Sequence, residues 1–212
     1  YLISEAEENT VGECPTVPRQ TEQSGYKTIA DYLALPEDRR VELIEGVFYD
    51  MAAPTIAHQM IAMDIWKYMR EYVDKNGGNC IPFIAPADVQ LFHDNKTMVQ
   101  PDVFVVCNRD KITRQRVHGA PDMIVEVTSQ STWRIDAYLK LIKYREAGVR
   151  EYWIVFPDAK KVVVYLFEKN EEVKDLQPVE YTFADKVPVG IWDNRCEVDF
   201  AEIYERCSFL YE

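Results

Sequence analysis

A glutamate interrupts an apolar run at residues 121–131, which read PDMIVEVTSQS. The residues around Glu126 are mostly long or β-branched and apolar, which is typical of a strand buried on both faces. An ionised carboxylate in such a strand is costly unless a metal ion, a partner or a wet cleft compensates it. Glu126 is therefore the first candidate for chemistry.

Aspartates that follow a proline are the next candidates, because the dipeptide Pro-Asp occurs three times. Asp158 falls in a predicted turn, where Pro-Asp is ordinary. Asp122 lies on the same strand as Glu126 but about 13 Å away, too far to share an ion. Asp102 opens the apolar strand VFVV and can lie beside Glu126 on a neighbouring strand. Two such carboxylates suit Mg²⁺, which Mn²⁺ can replace, so we predict a metal site at Asp102 and Glu126.

The helix predicted after Glu126 has two faces. At about 100° per residue, Asp136, Lys140 and Lys143 fall within about 60° of one another. One interpretation is a solvated face with an Asp136–Lys140 pair, and the other places a lysine beside the two carboxylates. The opposite face is expected to be apolar and comprises Ile135, Tyr138, Leu139 and Ile142.

Capping and turn residues locate the predicted helices. Thr28 can cap a short helix that ends by Pro36, and a long amphipathic helix is predicted from about Thr55 to Lys75, where Asn-Gly-Gly stops it. The helix after Glu126 is expected to begin at a Ser131-Thr132 cap and to end at Gly148.

Strand patterns fill the rest of the chain. VELIEGVFYDM predicts two strands around a Glu-Gly turn, CIPFIA, ADVQLF and MVQPDVFVV predict three more, and EYWIVF with KVVVYLF predicts a hairpin. This order indicates an α/β (α+β) fold with a central mixed β-sheet flanked by helices and with extra β-hairpins. We predict a flexible N-terminal arm at residues 1–26 and a single domain at 27–212.

Composition narrows the class of protein. The chain has 212 residues, 47% of them hydrophobic, and no apolar stretch long enough to span a membrane or to act as a secretory signal. We therefore expect a cytoplasmic protein. Its five cysteines are an odd number without a CxxC pair, which predicts ordinary thiols rather than a disulfide framework or a zinc site.

The net charge of −12 disfavours a polyanionic partner at first sight. The acidic excess lies mainly in the two terminal regions, because residues 28–167 contain nineteen acidic and seventeen basic residues. Two segments are locally basic, residues 109–116 and 134–150, and such segments permit binding to nucleic acid.

Several motifs together resemble the bacterial family of putative restriction endonucleases within the PD-(D/E)XK nuclease superfamily. The resemblance spans residues 28 to 205. It is carried by VELIEGVFYDMAAPTIAH, VQPDVFVV, PDMIVEVTSQST, the pattern D-x3-K-x3-Y-x3-GV that begins at Asp136, and EYWIVFP.

The resemblance implies a restriction-endonuclease-like fold and Mg²⁺-dependent hydrolysis of DNA phosphodiester bonds. Asp102 and Glu126 would then bind the metal. The superfamily pattern places a lysine two residues after the second acid, where this chain has Thr128. The matching lysine is Lys140 on the following helix, with Lys143 as the second choice.

Two further positions match the family. Glu42 is either an additional acid of the metal site or an exposed acid on an edge strand. His58 either acts directly or packs at a helix start, and Tyr144 is expected in the core.

Cleavage of both DNA strands predicts a homodimer, with the hairpin at 151–167 or the C-terminal β region at the interface. The alternative function is a non-catalytic module that binds nucleic acid or protein and retains the nuclease fold.

Overall fold

The computed structural model describes residues 25–36, 38–128, 133–167 and 176–211. Residues 1–24 of the predicted arm and the predicted Ser131-Thr132 cap lie outside the described residues.

Helices and strands alternate along the chain much as the sequence patterns predict. The α-helices are α1 (Ile29–Leu33), α2 (Ile56–Asn76), α3 (Leu141–Ala147) and α4 (Phe200–Cys207), with a π-helical segment at Ile135–Lys140 directly before α3. The strands are β1 (Val41–Ile44), β2 (Val47–Asp50), β3 (Ile81–Ile84), β4 (Val89–Gln90), β5 (Met98–Val99), β6 (Val103–Val106), β7 (Val117–His118), β8 (Met123–Val127), β9 (Glu151–Phe156), β10 (Lys161–Leu166), β11 (Val179–Thr182), β12 (Lys186–Pro188) and β13 (Glu197–Asp199).

Capping residues set the helix ends close to where the sequence predicts them. The Thr28 side chain caps α1, and the Thr55 side chain accepts a hydrogen bond from the backbone N–H of His58 at the start of α2. Gly77, with φ 72°, ends α2, and Gly148, with φ 93°, ends α3. Glycine adopts these left-handed values without the steric cost that a Cβ would bring.

A six-stranded mixed sheet forms the centre of the fold, in the order β11-β10-β9-β8-β6-β3. Only β8 and β9 pair in parallel within it, and β9 and β10 form the predicted hairpin. Side chains of one face, such as Val125, pack with Ile61 and Ile65 of α2. Side chains of the other face, such as Ile124, pack with Tyr144 of α3. The sheet is thus covered by helices on both faces, which confirms the predicted fold class.

A second sheet of five strands, in the order β2-β1-β5-β4-β7, stands beside the first. The prediction of one continuous strand MVQPDVFVV is wrong, because β5 belongs to the second sheet and β6 to the first. The break falls at Pro101, which has no N–H to donate to a ladder. As a result, Asp102 directly precedes β6 at the junction of the two sheets.

Cys80 and Cys107 form a disulfide, so the prediction that all the cysteines are ordinary thiols is wrong for this pair. The pairing of Ile81 with Val106 brings the two cysteines opposite each other at the ends of β3 and β6. A disulfide requires close Cβ atoms, and strand register supplies that proximity in a way that sequence spacing cannot reveal. Cys196 and Cys207 are free and buried.

None of the helices in the described ranges is long and apolar enough to cross a membrane.

Candidate active site

Asp102 and Glu126 face each other on neighbouring strands. Strands β6 and β8 are antiparallel, with Val103 opposite Val125, and this register continued by one residue places Asp102 opposite Glu126. The Asp102 carboxylate also accepts a hydrogen bond from the backbone N–H of Val127 at 2.8 Å. The two acids thus lie on neighbouring strands, as the sequence predicts.

Lys140 points into the molecule, where its ammonium group meets Glu126 and two further acids. Its ammonium nitrogen lies 2.8 Å from Glu42 Oε2, 3.0 Å from Glu126 Oε1 and 3.5 Å from Asp136 Oδ1. All four side chains are buried. Acids that lie 4, 14 and 98 positions from Lys140 in the sequence thus gather around its ammonium group, supplied by a helical segment and two strands.

The solvated-face interpretation of this helix is wrong. Asp136 and Lys140 are only 6% and 5% exposed, whereas Tyr138 and Ile142, expected to face the sheet, are 63% and 38% exposed. The segment Ile135–Lys140 is π-helical, so it has more residues per turn than the α-helix that the value of 100° per residue assumes. In addition, the carboxylates of Glu42 and Glu126 compensate the buried ammonium, which a helical-wheel argument cannot take into account.

Lys143 does not join the Lys140 cluster. Its ammonium nitrogen contacts Glu45 Oε1 at 2.5 Å and Glu146 Oε2 at 2.8 Å, and both acids are half exposed. The geometry therefore favours Lys140 over Lys143 as the lysine of the site.

Glu42 lies on an interior strand of the second sheet, because β1 pairs with both β2 and β5. Its Oε1 accepts a hydrogen bond from the backbone N–H of Gln100 at 2.9 Å, and its Oε2 contacts Lys140. The alternative of an exposed acid on an edge strand is therefore wrong. Glu42 on the second sheet is thus linked through Lys140 to Glu126 on the first sheet.

Three residues of the cluster were not predicted as site residues, namely Asp136, Tyr144 and Thr128. The Tyr144 hydroxyl, expected only as part of the core, donates a hydrogen bond to Glu126 Oε1 at 2.6 Å. Thr128, which stands where the superfamily has its lysine, is buried and its side chain hydrogen-bonds Asp136. For Asp136 and Tyr144, the signal in the sequence was their four-residue spacing from Lys140.

His58 reaches the same site from the first turn of α2. Its Nε2 lies 3.0 Å from Asp102 Oδ2, and its side chain is mostly buried. The Nδ1 atom is buried and has no hydrogen-bond partner among the described residues. His58 therefore contacts a predicted metal ligand, and its packing at the helix start does not exclude a role there.

Acidic groups outnumber basic ones in this cluster. Burial raises the pKa of Glu126 well above the ordinary value, and the nearby Asp102 and Asp136 carboxylates add to that effect against the opposing effect of Lys140. Burial also raises the pKa of Asp136. Burial alone would lower the pKa of Lys140, but the surrounding carboxylates outweigh it and raise that pKa well above the ordinary value. The lysine is thus held as an ammonium ion.

The basic segment at 109–116 contains two residues that bind backbone carbonyls and others that present exposed charge. Lys111 donates to the carbonyl of Ala120 at 2.7 Å, and Arg109 donates to the carbonyl of Asn79 at 3.3 Å. Arg114 is exposed. The segment from 134 to 150 loses much of its predicted surface charge, because Lys140 is buried in the acidic cluster.

The chain is similar to known proteins in its family and its fold. Residues 29–192 match the Uma2 family, described as "Putative restriction endonuclease". The fold is similar to the crystal structure of a putative nuclease from Anabaena variabilis, with a TM-score of 0.67 and 19% sequence identity over 84% of this chain and 97% of that one. No curated protein matches the chain.

Proposed function

This chain belongs to the family of putative restriction endonucleases, and we propose that it is a Mg²⁺-dependent endonuclease that hydrolyses DNA phosphodiester bonds. The observation that carries the proposal is the contact of Lys140 with Glu126, directly opposite Asp102. Two acids on adjacent strands and one ammonium group are the components that metal-assisted phosphodiester hydrolysis needs. Asp102, Glu126 and Lys140 are the catalytic residues of this proposal.

The donor set fits a hard divalent cation. Glu42, Asp102, Glu126 and Asp136 bring four carboxylates to a cluster with one ammonium group. A cation would offset this excess of negative charge. Within the described ranges no group of three or more His, Cys, Asp or Glu side chains has the arrangement of a metal site, so the proposed ion would have only Asp102 and Glu126 as protein ligands. Two carboxylates are enough for Mg²⁺, because it commonly takes only one or two and completes its coordination with waters and substrate phosphates.

Asp102 and Glu126 would hold the ion, and Mn²⁺ can replace Mg²⁺ there. When bound, the ion would polarise the scissile phosphate and lower the pKa of an attacking water. Lys140 carries its proton, so it would orient that water or stabilise negative charge that develops on the phosphate. Glu42 would keep Lys140 in place from the second sheet.

The alternative function is a non-catalytic binding module with the nuclease fold. It is favoured by Thr128 at the superfamily's lysine position and by the engagement of Lys140 with three carboxylates. The two functions differ in one outcome, because a binding module would retain nucleic acid without cutting it.

DNA binding is proposed for the basic segments, and a homodimer is proposed because each chain carries one site while a duplex has two strands.

The experiment that separates the two functions is incubation of the wild-type protein with plasmid and linear duplex DNA in Mg²⁺, with and without EDTA. Cleavage that EDTA prevents supports the nuclease. Retention of DNA in a mobility-shift assay without any cleavage in Mg²⁺ or Mn²⁺ supports the binding module.

A further inference from the structure

Each of the two proposed metal ligands is held through one of its two oxygens. Asp102 meets the Val127 N–H and His58 Nε2 through Oδ2, at 2.8 and 3.0 Å. Glu126 meets the Tyr144 hydroxyl and the Lys140 ammonium through Oε1, at 2.6 and 3.0 Å. These four contacts do not use Oδ1 of Asp102 or Oε2 of Glu126.

We propose that His58 and Tyr144 are positioning residues, each of which fixes one oxygen of a carboxylate and thereby presents the other oxygen to the metal. This inference rests on the proposed function, because it takes Asp102 and Glu126 as the ligands. Hydrogen bonds to ligating carboxylates orient them and tune metal affinity, and their loss commonly costs about 10- to 100-fold in affinity or activity.

Tyr144 is rigidly placed for this role. Its side chain is fully buried, and its ring lies edge-on to Tyr152 with a centroid separation of 5.0 Å. The hydroxyl hydrogen bond to Glu126 crosses from α3 to β8. Since Lys140 binds the same oxygen, two donors from one helix set the orientation of the Glu126 carboxylate.

His58 is also held in a fixed position, through both its backbone and its ring. Its backbone N–H donates to the Thr55 hydroxyl at 3.1 Å, which fixes the residue in the first turn of α2. A carboxylate can only accept, so the contact is a hydrogen bond to Asp102 Oδ2 when the imidazole carries a proton on Nε2. The Nδ1 atom has no hydrogen-bond partner in the described ranges, so the contact with Asp102 is what orients the ring there.

Tyr152 provides a matched control for Tyr144. It is equally buried, but its hydroxyl donates to the backbone carbonyl of Asp136 at 3.0 Å and not to either proposed ligand. Removing either hydroxyl takes one buried hydrogen bond from the protein, so both variants lose a comparable structural contact. Only the loss at Tyr144 should change the metal site.

The test is Mn²⁺ binding by isothermal titration calorimetry, which does not depend on catalysis. We expect the Mn²⁺ dissociation constant to rise about tenfold or more in Tyr144→Phe and in His58→Ala. His58→Gln should recover part of the loss, because its amide can donate to Asp102 Oδ2. Tyr152→Phe should bind Mn²⁺ like the wild type. Thermal unfolding of each variant shows that the binding measurements are made on folded protein.

The outcomes separate this inference from the proposed function. Wild-type Mn²⁺ affinity in both Tyr144→Phe and His58→Ala, with loss of binding in Asp102→Ala, overturns the positioning roles and leaves the nuclease proposal standing. An equal loss in Tyr152→Phe also overturns them, since general packing would then explain the effect. A wild-type protein that binds no Mn²⁺ overturns the proposed metal site and the positioning roles together.

Discussion

The Lys140 ammonium lies 3.0 Å from Glu126 Oε1, although one residue belongs to a helical segment and the other to a buried strand. In the PD-(D/E)XK pattern that the sequence resembles, a lysine follows the second acid by two residues on the same strand, and Thr128 occupies that position here. The helix after the strand therefore supplies the ammonium that the strand lacks. The site depends on how this helix packs on the sheet.

Lys140→Ala should abolish most cleavage and should also destabilise the protein. The substitution leaves Glu42, Glu126 and Asp136 buried without their shared ammonium, and breaking a buried ion pair typically costs about 3–5 kcal/mol. The expectation that this lysine lies on an exposed face is wrong, because Lys140 is buried, and its loss is therefore expected to affect folding as well as cleavage. Urea unfolding gives the loss of stability, and cleavage rates are compared where the variant remains folded.

Lys143→Ala is the matched lysine control. Its partners Glu45 and Glu146 are half exposed, so we expect a stability change below about 1 kcal/mol and nearly unchanged cleavage. A larger loss of cleavage in Lys143→Ala than in Lys140→Ala would move the assignment to Lys143.

The metal-free protein should lose stability as the pH rises above the ordinary carboxyl range. The pKa of Glu126 is raised in the folded protein, chiefly by burial, so the folded state holds a proton that the unfolded state has already released. The free energy of unfolding then falls with pH through the window between the two pKa values. Urea titrations from about pH 5 to pH 8 test this, and Glu126→Gln should flatten the slope. The same slope in both proteins would contradict the prediction.

DNA binding should weaken steeply with salt and should depend on the segment at 109–116. Each contacted phosphate releases counterions, so the logarithm of the binding constant falls with the logarithm of salt concentration. Replacing both Arg114 and Arg116 by Glu should reduce affinity and the salt slope. Arg195→Glu, an exposed arginine in the acidic C-terminal region, serves as the control. Salt-independent binding, or equal effects of the two changes, would place the interface elsewhere.

The proposed homodimer should form through the hairpin and the β region after it. Leu166 at the end of β10 and Val179 at the start of β11 are 47% and 45% exposed, which provides apolar surface for a partner. Sedimentation at micromolar concentration should show a dimer, and Leu166→Lys should convert it to a monomer. Met63→Lys, on the exposed side of α2, should leave the dimer intact. A monomeric wild type would leave nicking of single strands as the expected activity.

Local signals in the sequence were enough for much of the fold. The two ends of α2 could be predicted from Thr55 and Gly77, because the residues that cap a helix lie within one turn of its end. Asp102 and Glu126 could be placed on adjacent strands because strand ends and an apolar run with one acid are visible in the sequence. The family pattern then singled out Lys140.

The remaining features depend on contacts between distant segments. The inward turn of Lys140 requires acids contributed by β1 and β8, and a π-helical period that no sequence rule indicates. The hydrogen bond of Tyr144 to Glu126 was hidden because a buried tyrosine is ordinarily part of the core. The disulfide of Cys80 with Cys107 follows from strand register alone.

The central claim is that Asp102 serves a metal-dependent cleavage of DNA, and the most direct measurement compares plasmid cleavage by the wild type and by Asp102→Ala in Mg²⁺. Asp102 lies opposite Glu126 and has no ion pair with Lys140 among the described contacts, so its loss should remove a metal ligand and spare the ammonium cluster. We predict that the wild type cleaves, that EDTA stops it, and that Asp102→Ala is slower by orders of magnitude. Equal cleavage by the two proteins, or wild-type cleavage that persists in EDTA, would contradict the account.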